Sequence, residues 1–170
     1  LYSLDYLIFA RESGAKQPLP VKSWEESIFN IRRVFIDKLP ELLPVFDEFT
    51  NNILNEDQSR RQIWEPTEYT LVELDDEKLP ISVKMPVNCS DNGKVQLVQA
   101  VIRQNPEFTG SPLIVYKYMP KIFEKMANER PLQLSFLLMH EFLWSISDNV
   151  DRNRRINWFL HSQELQGLSR

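Results

Sequence analysis

The sequence predicts an α+β fold: an N-terminal helical hairpin, a small and mostly antiparallel sheet, and a C-terminal helical layer. Three observations predict it. Apolar residues recur every three to four positions between Trp24 and Ile53, alternate with a period of about two between Thr67 and Tyr118, and return to the helical period after Pro120. No repeat, low-complexity tract or long linker interrupts that order, so residues 1–170 read as one domain around one core.

Each element has its own signals. Tyr6-Leu7-Ile8-Phe9 reads as a short strand or helix, and Gly14, Pro18 and Pro20 as an irregular connection after it. Ser23 followed three residues later by Glu26 is a capping box, in which each side chain satisfies a backbone N–H that a new helix leaves unpaired. Trp24, Ile28, Ile31, Phe35 and Leu39 then mark one helical face. Pro40 and Pro44 interrupt it, and Leu42, Phe46, Phe49 and Ile53 restart it as a second helix folded back on the first.

The strands are expected at 69–74, at 79–85, at 95–104 and at 113–118, with Asp91-Asn92-Gly93 supplying turn residues that tolerate positive φ. Pro120 suits the first turn of a helix carrying Ile122, Phe123 and Met126, and Pro131 starts the next. That helix, from about Leu132 to Ser147, is apolar around most of its circumference, which places it at the centre of the fold. Asp148-Asn149 breaks it. A last helix from about Asp151 carries Arg154, Asn157, His161 and Glu164 at spacings of three, four and three, a polar stripe where apolar residues are expected.

Composition bounds the function. With 42% hydrophobic and 26% charged residues the chain is ordinary globular material, and a net charge of −4 supplies no global field for nucleic acid or anionic lipid. Arg152, Arg154 and Arg155 stand among Asp148 and Asp151 at ion-pairing spacing, which reads as a solvated face. The longest apolar run is too short and too interrupted to span a bilayer. Neither nucleic acid nor membrane insertion is expected, and a protein partner stays open. Cys89 is the one cysteine, so no internal disulfide and no cysteine-based zinc cluster can form. The chain opens at Leu1 with no basic n-region or cleavage site, as a processed or truncated chain would; a secreted or periplasmic setting is the preferred expectation, and the compartment stays open. No Gly-rich phosphate loop or serine nucleophile elbow is present.

One constellation remains. The segment Leu137-Leu138-Met139-His140-Glu141-Phe142-Leu143-Trp144 resembles the active-site helix of zincin metallopeptidases, in which His-Glu-x-x-His follows a small sheet. The resemblance implies His140 as a zinc ligand and Glu141 as the catalytic general base, while Trp144 stands where the second histidine belongs. The remaining histidine, His161, with Glu164 one turn beyond it, would have to complete a metal set of His140, His161 and Glu164. The plainer reading makes His140, Glu141, Arg154, Asn157 and His161 a buried polar network that fixes how the last two helices dock, with Glu141 paired to an arginine such as Arg154. The preferred expectation is thus a non-catalytic interaction or structural domain without a cofactor; the alternative is a divergent zincin-like hydrolase that uses zinc.

Overall fold

A serine starts the first helix. In the computed structural model Ser23 is extended (φ −142°, ψ 164°), and its Oγ accepts the Glu26 N–H at 3.2 Å ahead of helix α1, Trp24–Lys38. The Glu26 carboxylate reaches one residue further back than a capping box requires, accepting the N–H of Lys22 at 2.7 Å. Trp24, Ile28, Ile31 and Phe35 are buried as their spacing predicts. Leu39 is the exception: it is the C-cap of α1, 38% exposed, with its N–H turned back to the Phe35 carbonyl.

The structure describes residue 6 and residues 18–54, 61–68, 97–106 and 112–164. The expectations for Leu7 to Phe9, for the strands at 69–74 and 79–85, and for the turn at Asp91-Asn92-Gly93 lie outside these residues.

Pro40, which has no N–H to continue a helix, opens a single 3-10 turn over Pro40–Leu42, and α2 follows as Leu43–Leu54. Phe46 and Phe49 face inward with no exposure. Arg32 grips Asp47 with both prongs, Nε donating to Oδ1 at 2.7 Å and Nη2 to Oδ2 at 2.8 Å, and so clamps α1 to α2.

The sheet has three described strands, β1 (Gln62–Pro66), β2 (Val98–Gln104) and β3 (Pro112–Tyr118), in the order β1-β3-β2. It is mixed: β2 runs antiparallel to β3, and β1 runs parallel to it. β1 lies between Ile53 and Thr67, a stretch to which the sequence pattern assigns no element. On the central strand, Val115 and Tyr116 point to opposite faces and both are buried, while Ile114, Tyr116 and Tyr118 alternate toward the helices.

Two prolines at first-turn positions open α3 (Pro120–Glu129) and α4 (Pro131–Ile146). Asn149 caps α5 (Val150–Leu160), its side-chain oxygen accepting the Arg152 N–H at 2.9 Å. As expected, α4 is central: Leu134, Phe136, Leu138, Met139 and Phe142 are wholly buried. The Phe142 ring meets Phe35 of α1 and Phe46 and Phe49 of α2 at centroid distances of 6.0, 5.1 and 5.5 Å. Phe49 in turn meets the edge of Tyr116 on β3 at 5.6 Å, so helices and sheet share one core. No described helix is long and apolar enough to cross a membrane.

Candidate functional site

His161 takes the C-cap position of α5, one turn beyond the buried Asn157, and its ring is fully buried as well. Nδ1 lies 2.8 Å from the Asn157 carbonyl, and Nε2 lies 2.8 Å from Ser135 Oγ on α4. Ser135 Oγ is in turn 2.8 Å from Ser27 Oγ on α1. A carbonyl only accepts, so Nδ1 carries hydrogen. In the neutral ring Nε2 must then accept from the Ser135 hydroxyl, leaving that oxygen to accept from Ser27; only a charged ring would reverse the chain and send the Ser135 hydrogen to Ser27.

The ring lies flat against Phe136, with centroids 4.0 Å apart and planes within 18°, and Tyr6 packs edge-on against Phe136 at 5.7 Å. Asn157 Nδ2 donates to the Phe136 carbonyl at 2.9 Å, a second bond between α5 and α4. The His161 carbonyl accepts the Leu19 N–H at 2.9 Å, and Pro18 bridges to Ser162. One residue therefore joins α1, α4, α5 and the segment ahead of α1.

The other candidates sit elsewhere on the two helices. His140 is half-buried, its ring tilted 51° to that of Trp144 at 6.0 Å. Glu141, also half-buried, acts on β3: the Tyr116 hydroxyl is pushed well above the usual tyrosine range, first by burial and then by the Glu141 charge, with Ser145 pulling the other way. Arg154 is half-buried, with Nε and Nη2 out of contact with solvent. Of the five residues read as a polar network, Asn157 and His161 are brought together. Their partners include Ser27 and Ser135, which the sequence reading missed. The available signal was a serine at a core position of each helix, between Trp24 and Ile28 on α1 and between Leu134 and Phe136 on α4.

The same geometry tests two chemistries. A zinc set of His140, His161 and Glu164 does not fit: both His161 nitrogens are engaged by protein, Glu164 is exposed, and among the described residues no group of three or more His, Cys, Asp or Glu is placed to hold a metal ion. Ser135 beside His161 has the spacing of an activated nucleophile, with the Asn157 carbonyl orienting the ring. Neither side chain has any exposure, so no substrate carbonyl reaches that hydroxyl. Two shallow surface grooves, one along the outer side of α5 at Arg152, Arg155 and Phe159 and one beside Pro18 to Val21, leave His140, Glu141 and His161 out of their lining. Comparison of the chain with protein-family models, with curated proteins and with solved structures found no match.

Proposed function

We propose that this chain is a non-catalytic interaction or structural domain whose buried polar residues hold its helices in one arrangement. The observation that carries this reading is the state of His161: fully buried, stacked on Phe136, and hydrogen-bonded through both ring nitrogens to Ser135 and Asn157. A histidine so engaged is a fastening between elements: it bonds α4 and α5 directly and α1 through Ser135 and Ser27, which makes it costly to withdraw. The zincin-like alternative keeps only the His140-Glu141 pair, with Trp144 in place of the second ligand. The net charge of −4 favours a protein partner over nucleic acid.

Metal content separates the two. Protein purified without a histidine tag, exposed to excess zinc and then dialysed, is expected to retain far less than one equivalent, with parent and Glu141→Gln alike. Retention of close to one equivalent, lost in His140→Ala while the fold persists, would overturn the reading in favour of a metal-dependent hydrolase.

A further inference from the structure

On the outer face of α1 a large aromatic side chain stands in water. Phe29 is 60% exposed although it sits in the middle of a helix whose opposite face is core, and Ile36, two turns on, is 45% exposed. Phe29 is flanked at four-residue spacing by Glu25 on one side and Arg33 on the other, both exposed. Side chains at i, i+4 and i+8 form one ridge on a helix, and two such ridges interdigitate when helices cross.

We propose that this face of α1 is a self-association surface, on which a second copy of the chain packs its own α1 antiparallel with the two Phe29 rings at the crossing point. Charge selects both the occupant and the register. A two-fold axis through Phe29 sets Glu25 of each copy opposite Arg33 of the other, so the interface carries two complementary pairs around an apolar centre. Parallel packing lays Arg33 on Arg33 and Glu25 on Glu25. An antiparallel register shifted to lay Phe29 on Ile36 brings Arg32 and Arg33 of both copies together. The order acid, aromatic, base along one ridge is thus self-complementary in one orientation and one register. The inference goes beyond the reading of the buried network and stands independently of it, because Glu25, Phe29, Arg33 and Ile36 are exposed whereas Ser135, Asn157 and His161 are buried.

Sedimentation equilibrium over micromolar to several hundred micromolar protein tests it, with circular dichroism confirming that each variant keeps the fold. The parent is expected to move from monomer to dimer across that range. Phe29→Asp is expected to abolish dimerisation. Glu25→Arg and Arg33→Glu singly each replace two attractive contacts by two repulsive ones and are expected to weaken the dimer by about tenfold or more, the size of shift that several surface ion pairs produce together. Combined in one chain, the two reversals restore the pairing and are expected to return the dissociation constant to within a few-fold of the parent. A parent that stays monomeric throughout, a dimer indifferent to Phe29→Asp, or a double reversal as weak as either single one overturns the proposal.

Discussion

Replacing Ser135 by alanine removes one oxygen from the middle of the buried chain, and what that oxygen holds sets the cost. It lies 2.8 Å from His161 Nε2 and 2.8 Å from Ser27 Oγ, and His161 has no exposure through which water could replace the lost partner. Leaving a buried polar nitrogen unpaired costs about 1–3 kcal/mol. Ser27 loses less, because a helical serine hydroxyl can turn to a carbonyl one turn back. Alanine is the better helix former, which returns up to about 0.5 kcal/mol. The expected net loss is about 1–2.5 kcal/mol, or roughly 2–10 °C in Tm for a chain of this length. Ser27→Ala, at the end of the chain of hydroxyls, is expected to cost about 0.5–1 kcal/mol, and the double variant little more than Ser135→Ala alone, since both remove the same link. Urea unfolding followed by tryptophan fluorescence measures all three, with the midpoint falling and the slope unchanged. Ser135→Ala indistinguishable from the parent, or less costly than Ser27→Ala, would refute the argument that the hydroxyls act in series on His161.

Ser23→Ala is expected to cost about 1 kcal/mol in the same assay, the usual effect of removing an N-cap oxygen that accepts from the third helical residue. Leu138→Ala, at a position with no exposure on the central helix, is expected to cost about 2–5 kcal/mol through the cavity it leaves; a loss under half of one kcal/mol in that variant would contradict the packing around α4. Tyr116 makes stability fall in alkali. Its folded pKa is raised, so its contribution is complete below the ordinary tyrosine value of about 10 and is lost as pH climbs from there toward the folded value, by up to about 1.4 kcal/mol per pH unit. Urea midpoints at successive pH values should therefore decline less steeply in Tyr116→Phe, and a spectrophotometric tyrosine titration should show Tyr116 ionising earlier in Glu141→Gln than in the parent.

The helices were legible in the sequence because each carries its own punctuation. Ser23, Pro40, Pro120, Pro131 and Asn149 act on backbone groups within a turn of themselves, and all five stand where those local rules put them. β1 was not legible, since five residues that include Glu65 and end in Pro66 carry no alternation; what makes them a strand is the neighbouring β3, more than forty residues away in the chain. The same limit explains the site. Helical spacing placed Asn157 and His161 on one stripe, but whether that stripe faces His140 or Ser135 depends on the register of α5 against α4, which no local pattern encodes. The His-Glu pair stands out because it opens the zincin helix motif, although a bare pair occurs by chance in many chains. The serines that form the buried chain, Ser135 on the histidine and Ser27 on Ser135, are common residues, and only their presence on faces otherwise filled by Trp24, Ile28, Leu134 and Phe136 distinguished them.

The fastening at His161 also sets a timetable. Ser27 and Ser135 are 108 positions apart, and the Leu19 amide waits for a carbonyl still further along the chain. At about 5–20 residues per second, Ser27 is synthesised roughly 5–20 s before the serine it bonds. Until then Ile28, Ile31 and Phe35 lack α4, whose Leu134, Leu138 and Phe142 belong to the same core cluster. Long-range closures of this kind slow folding, because the loop must be drawn shut before any contact rewards it. The apolar face of α1 is therefore completed only by residues of the C-terminal half, which the finished fold brings over it.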